Sequence, residues 1–341
     1  MNKIRVAING FGRIGRHAFK IALERENLEI VAINDLTTPE ELAYLLKYDT
    51  VYGRYEKEVK WDMESRGARS GHIIVDGEKY PIYAIPDPKK LPWKKHKVDV
   101  VIESTGRFVK DGAAKAHLKA GAKKVIVSAP VKGSGDIKTY VKGVNNNKYS
   151  GDKVISNASC TTNCISPVIR VIDDNFGVEK ALMTTIHAYT STQNIVDGPH
   201  KDPRRGRAAA QNIIPTTTGA AIATTKTIPK LKGKFDGIAM RVPVLNGSLA
   251  DFSIVTKKKV TAQQINRAFR QAEKNPIYKG IIKTVQDPIV SSDIIGDPHS
   301  AIVDLSFTKV VGGNLVKVLA WYDNEYGYSQ RLVDMVEVVS L

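Results

Sequence analysis

The first half of the chain alternates short apolar runs with amphipathic stretches. β-rich runs at Ile4–Asn9, Leu28–Ile33, Val98–Ser104, Lys124–Ser128 and Val154–Ser156 predict strands, and Ile14–Glu26, Pro39–Leu46 and Gly112–Ala120 predict the helices between them. Strand and helix in alternation predict a Rossmann-type α/β domain, a doubly wound and mostly parallel sheet with its ligand at the carboxyl ends of the strands. After Cys160 the rhythm changes. Longer β-rich runs at Leu182–Tyr189, Ile238–Val244, Asp251–Thr256, Ala301–Phe307 and Leu315–Trp321, with one helical stretch at Ala262–Lys274, predict an α+β domain on a largely antiparallel sheet. An amphipathic stretch at Ser329–Val338 predicts a terminal helix. The polar, basic and Gly/Pro-rich segment Thr190–Gln211 predicts a long loop, and loops of that length inside a compact domain are usually functional or disordered.

Length and composition narrow the class. At 341 residues the chain fits two domains, and its 42% hydrophobic and 25% charged content is that of a soluble globular protein. The N-terminal run enters a strand without an apolar leader, and no stretch approaches the roughly 18 apolar residues of a membrane span, so the cytoplasm is the expected compartment and no membrane partner is expected. Cys160 and Cys164, four apart, are the only cysteines and make no disulfide framework. The net charge of +16 raises a polyanion as partner. The lysines are spread along the chain and no nucleic-acid motif accompanies them, which favours a solvated surface with sites for small phosphorylated ligands.

Gly10-Phe11-Gly12-Arg13-Ile14-Gly15 matches G-x-G-x-x-G between a predicted strand and a predicted helix. Glycines permit the tight turn, and the helix start offers free N–H groups and a positive dipole end to a pyrophosphate. Asp35 follows at the end of the second strand, where a carboxylate accepts from an adenosine ribose and repels a 2′-phosphate; NAD is the expected cofactor, with NADP use left open. The strand ends at Ser104-Thr105-Gly106 and Ser128-Ala129-Pro130 would line the same crevice, with hydroxyls suited to ribose or pyrophosphate and equally common in turns.

Ser159-Cys160-Thr161-Thr162-Asn163-Cys164 precedes an apolar helical pattern. With Ser159 as N-cap, Cys160 falls in the first turn, where N–H groups and the helix dipole favour a thiolate. A zinc site would need further ligands, and only isolated histidines are on offer; no metal is expected. Cys164, one turn on, reads as an inert core cysteine. His187, at the end of a strand-like run, becomes a candidate base once an activated cysteine is present.

At these residues the chain resembles the phosphorylating glyceraldehyde-3-phosphate dehydrogenase family over essentially its whole length. The resemblance rests on NGFGRIGR (Asn9–Arg16), ESTGRF (Glu103–Phe108), SNASCTTNC (Ser156–Cys164), TIHAY (Thr185–Tyr189), RAAAQNIIPTTTGAA (Arg207–Ala221), MRVP (Met240–Pro243) and WYDNEYGYS (Trp321–Ser329). It implies a Cys160 nucleophile and a His187 base that carry D-glyceraldehyde 3-phosphate through a hemithioacetal and a thioester to 1,3-bisphosphoglycerate. It implies cofactor contacts at Gly10, Gly12, Arg13, Ile14, Asp35, Thr105 and Ser128, with Asn324 on the nicotinamide carboxamide. Thr190 and Arg241 would bind the substrate phosphate; Ser159, Thr161, Thr218 and Gly219 would bind inorganic phosphate, with Arg207 also facing the anions. The family is homotetrameric and packs its terminal helix on the cofactor domain, so residues 1–159 with 323–341 would form one domain and 160–322 the catalytic one. Many members carry an arginine where this chain has Ala84-Ile85-Pro86-Asp87-Pro88, which leaves an adenine-side contact to the backbone. Gly198-Pro199 resembles NAD-preferring members. The alternatives are the sister erythrose-4-phosphate dehydrogenase, which Pro-Thr-Thr-Thr-Gly-Ala-Ala argues against, and a nucleic-acid-binding protein on the same scaffold.

Overall fold

The apolar runs of the first half become strands of one sheet. The computed structural model describes residues 3–65 and 67–341. The first of two compact units takes the chain up to Tyr140, Lys148–Ala158 and Ser329–Leu341; the second takes Val141–Asn147 and Ser159–Tyr328.

In the first unit, β1 (Ile4–Asn9), α1 (Arg13–Leu23), β2 (Leu28–Asn34) and α2 (Pro39–Lys47) are followed by β3 (Val59–Met63), β4 (Gly71–Val75), β5 (Glu78–Tyr83), β6 (Val100–Glu103), β7 (Lys124–Val127), β8 (Lys138–Thr139) and β9 (Val154–Ser156). They pair in the order β8-β9-β7-β6-β1-β2-β5-β4-β3. The strands from β8 to β5 run parallel; β5, β4 and β3 are antiparallel neighbours. Val6, Ala7 and Ile8 are all fully buried, so both faces of the centre are covered, as an uninterrupted apolar strand requires. The antiparallel extension β3–β5 lies outside the expected pattern. Its inward positions Val59, Ile73, Val75 and Ile82 sit in short strands broken by Lys60, Asp62, Gly71, Glu78, Lys79 and Pro81, so no long apolar run announces it. The stretch expected as a helix from Gly112 is a 3₁₀ turn, Ala113–Lys115, and a single α-turn, Ala116–Lys119.

The second unit carries α3 (Cys160–Phe176), β10 (Val178–Ala188), β11 (Ile214–Thr217), α4 (Ala220–Thr227), β12 (Phe235–Val242), β13 (Ser248–Thr256), α5 (Ala262–Lys274), β14 (Ile282–Val285), β15 (Ala301–Val311) and β16 (Leu315–Tyr322). The sheet order is β11-β12-β10-β13-β16-β15-β14. Only β10–β12 and β14–β15 pair in parallel. Helix α3 buries Val168, Ile169 and Ile172 on one face of this sheet, with α4 and α5 beside it. The opposite face leaves Leu182, Ile238 and Phe307 exposed. Helix α4 is unannounced because its Ala/Thr-rich sequence has no apolar stripe of helical period.

The loop 190–211 is ordered by its own backbone, with Gly198 N–H donating to Gly206 O at 2.9 Å and Ala209 N–H to Asn194 O at 3.0 Å. The last helix, α6 (Tyr326–Ser340), starts in the second unit, so residues 323–328 group there rather than with the first. From Ser329 on it belongs to the first unit, where Arg25 donates to Asp334 at 3.1 Å and Gln330 at 3.3 Å. Among the described residues no helix is long and apolar enough to cross a membrane.

Candidate active site

The G-x-G-x-x-G turn joins β1 to α1. Gly10 has φ +94, and a Cβ there would lie 2.7 Å from the Thr105 nitrogen; at Gly15 it would lie 2.0 Å from Gly10 O. At Gly12, the N-cap of α1, nothing stands within 4 Å. Two glycines thus close the turn while the middle one leaves the helix start open, the arrangement a pyrophosphate needs. A cleft of about 580 Å³ opens here, lined by Gly10, Gly12, Asp35, Pro86 and Thr105 among others. The Asp35 carboxylate accepts from Phe11 N–H at 2.7 Å and Thr37 N–H at 3.1 Å, so it also ties the glycine turn to the end of β2. An open helix start and a carboxylate fit a dinucleotide with a free 2′-hydroxyl.

Other residues expected at the cofactor are engaged elsewhere. The Thr105 hydroxyl donates to Glu103 Oε1 at 2.5 Å, and Glu103, fully buried, also accepts from Asn9 at 2.5 Å and His117 Nε2 at 2.8 Å. Arg13 pairs with Asp49 at 2.5 Å. Arg13, Ile14 and Ser128 do not line the cleft, and the Ser128 N–H donates to Glu103 O at 2.9 Å.

In the second unit Ser159 caps α3, its Oγ accepting from Thr162 N–H at 3.1 Å, which makes Cys160 the first helical residue. His187 lies near the end of β10 with Nε2 3.5 Å from Cys160 Sγ. Its Nδ1 stands 2.7 Å from Ala188 O, and Arg241 Nη1 donates to the same oxygen at 3.0 Å. Arg241 Nη1 also stands 2.8 Å from Nδ1, so this nitrogen faces a carbonyl and a guanidinium together while Nε2 faces the sulfur. Tyr322 OH bonds Thr161 Oγ1 at 2.9 Å and Thr185 Oγ1 at 2.8 Å, tying the start of α3 to β10.

Burial pushes the Cys160 thiol up, and the Arg241 guanidinium, the Thr161 hydroxyl and nearby N–H groups pull against it without prevailing. Burial, then the Arg241 charge, push His187 down to about 3. Cys164 is buried with Sγ 4.0 Å from Ala320 O, and burial raises its thiol further still.

Arg241, opposite His187 across the β10–β12 ladder, is largely buried, and its Nε lacks an acceptor. Burial holds it below the usual arginine range, and Arg205 adds to this. Arg205 bonds Thr216 Oγ1 at 2.9 Å, whereas Arg207, expected to face the anions, pairs at the surface with Asp197 at 2.9 Å. The second cation felt at Arg241 is thus Arg205. Thr190 Oγ1 bonds Thr192 Oγ1 at 2.8 Å, and Thr218 Oγ1 accepts from Ala220 N–H at 3.2 Å at the start of α4, where Gly219 has open space. Asn324 Oδ1 accepts from Ser248 Oγ at 2.7 Å and Gly247 N–H at 3.2 Å.

Known proteins of similar sequence show the family to which the chain belongs. The family profile described as glyceraldehyde 3-phosphate dehydrogenase, NAD binding domain, matches residues 4–111, and the profile for the C-terminal domain matches 159–324. The glyceraldehyde-3-phosphate dehydrogenase of Streptomyces coelicolor is 53% identical over 98% of both chains. That of Borreliella burgdorferi is 52% identical over 98% of this chain and 99% of its own, and that of Haloarcula vallismortis 47% over 99% and 98%. The chain belongs to the glyceraldehyde-3-phosphate dehydrogenase family. Within this dehydrogenase family member the first match spans the glycine turn and Asp35, and the second spans Cys160, His187, Arg241 and Asn324.

Three residues of this site escaped the sequence reading. Tyr322 and Ser248 look like ordinary strand residues, and only the tertiary contact reveals them. Arg205 stands in an Arg-Arg-Gly-Arg run where nothing in the order of residues says which guanidinium turns inward.

Arg241→Gln removes a charge that depresses His187 and pulls on Cys160, so both groups should titrate at higher pH. Iodoacetamide labelling of Cys160, followed by intact mass against pH, is expected to show its midpoint moved upward. An unmoved or lowered midpoint contradicts this coupling.

Proposed function

We propose that this chain acts as a glycolytic and gluconeogenic, NAD-dependent and phosphorylating glyceraldehyde-3-phosphate dehydrogenase. The observation that carries the reading is the Cys160–His187 pair, 3.5 Å from sulfur to Nε2 at a capped helix start, beside the half-buried Arg241. The Cys160 sulfur adds to the aldehyde carbon while His187 Nε2 takes the thiol proton and returns it to the carbonyl oxygen, giving a hemithioacetal. His187 then removes the hydroxyl proton as the carbon–hydrogen bond gives up its hydride, which leaves a thioester on Cys160. Bound NAD supplies the hydride acceptor. Inorganic phosphate attacks the thioester, releases 1,3-bisphosphoglycerate and returns the thiolate. The Cys160 N–H and His187 stabilise the developing oxyanions.

Arg241, with Arg205 and Thr190, receives the substrate phosphate. Thr218 and Gly219 at the open start of α4, with Ser159 and Thr161, receive inorganic phosphate. An anion on Arg241 also cancels part of the charge that depresses His187, so docking strengthens the base when it is needed. Gly10, Gly12 and the start of α1 hold the pyrophosphate, Asp35 the ribose, and Asn324 the nicotinamide carboxamide; the Asp35 charge disfavours NADP.

The exposed Leu182, Ile238 and Phe307 on the uncovered face of the second sheet support assembly into a homotetramer through that face. Two cysteines without a disulfide support a cytoplasmic setting. Relatives bearing the glyceraldehyde name support the three-carbon substrate over erythrose 4-phosphate.

Cys160→Ser should lower phosphate-dependent NADH formation from glyceraldehyde 3-phosphate by at least about 10³-fold, while Cys164→Ser keeps most of it; similar rates in the two variants refute the assignment. Native mass spectrometry should give four times the 37.5 kDa chain. An active monomer contradicts the assembly.

A further inference from the structure

We infer that Ser248 is a positioning residue that fixes which end of the Asn324 side chain is offered to the nicotinamide and couples that choice to the strand carrying His187. This rests on the reading that Asn324 meets the nicotinamide carboxamide. The Gly247 N–H can only donate, so the Asn324 atom 3.2 Å from it is the oxygen. That leaves the Asn324 NH₂ as the outward group, a donor for the carbonyl oxygen of a carboxamide. Ser248 Oγ, 2.7 Å from the same oxygen, donates its single proton there. Its lone pair therefore accepts the Ala188 N–H at 3.2 Å. Ala188 is the residue whose carbonyl stands 2.7 Å from His187 Nδ1.

The hydrogen bonds run in one direction, from the Ala188 N–H through the Ser248 hydroxyl to Asn324. Ala188 is fully buried, Ser248 is 1% exposed and Asn324 7%, so water cannot replace a lost partner at little cost. A flipped Asn324 would set its NH₂ against the Gly247 N–H and the Ser248 proton. The backbone of Asn324 is held separately: Asp323 accepts from Asn246 at 2.9 Å and from the Glu325 and Tyr326 N–H groups at 2.9 Å each. Ser248 thus controls the amide orientation rather than the course of the chain. A carboxamide docked in one orientation presents one face of the nicotinamide ring, so loss of Ser248 should loosen the stereochemistry of hydride transfer.

The test uses the full-length chain and its Ser248→Ala and Ser248→Thr variants. With Ser248→Ala, KM for NAD is expected to rise about five- to tenfold. KM for glyceraldehyde 3-phosphate and the inhibition constant of ADP-ribose, which lacks the nicotinamide, should stay within about twofold. Deuteride transferred from aldehyde deuterated at C1 should appear on both faces of NADH C4 by proton NMR, where the parent gives one, and Ser248→Thr should restore a single face. Unchanged stereochemistry and KM in Ser248→Ala, or a parallel loss of ADP-ribose binding, overturns the inference. Failure of the parent chain to reduce NAD with this aldehyde overturns the functional reading, and the inference with it.

Discussion

A sulfur and an imidazole nitrogen held 3.5 Å apart impose most of the demands that the second unit meets. The sulfur must begin a helix, so Ser159 caps it. The imidazole must keep Nε2 toward the sulfur, so its Nδ1 is held between the Ala188 carbonyl and the Arg241 guanidinium. The two elements must keep their spacing, and one buried hydroxyl, that of Tyr322, bonds to both. Burial pushes the thiol up and the imidazole down, so it costs free energy to charge either group alone. Arg241 stands within the same network, and an anion docking there changes the environment of the base it touches.

The first unit answers a different demand, that backbone N–H groups reach a phosphate without obstruction. Gly10 and Gly15 permit a close turn, and Gly12 is left open. Asp35 uses its carboxylate to brace the glycine turn against the end of β2. Thr105 shows how the crevice floor is made firm, since its hydroxyl is committed to the buried Glu103, which collects donors from Asn9 and His117.

Much of this was legible in the sequence because it depends on local order. The parallel centre of the first sheet followed from unbroken Val/Ile runs, and Ala262–Lys274 is helical as its spacing predicts, with Thr261 and Gln264 forming a capping box. The three antiparallel strands between Val59 and Tyr83 were not, because they are short and interrupted by charged residues, Gly71 and Pro81. Helix Ala220–Thr227 lacked an apolar stripe and is held by packing on α3. In the site, Cys160 and His187 could be named from residue type and setting, but the burial that opposes the helix-start field at the sulfur could not. Likewise the inward turn of Arg205 and the contacts of Tyr322 and Ser248 arise only when distant strands meet.

The central claim is that Cys160 carries the oxidised substrate as a thioester before phosphate releases it. Mixing the chain with glyceraldehyde 3-phosphate and NAD in phosphate-free buffer, quenching in acid and mapping peptides by mass spectrometry tests it directly. The account predicts a 3-phosphoglyceroyl adduct on Cys160 that disappears when inorganic phosphate is added before the quench. NADH formed without any adduct on Cys160, or with the adduct on Cys164, would contradict it.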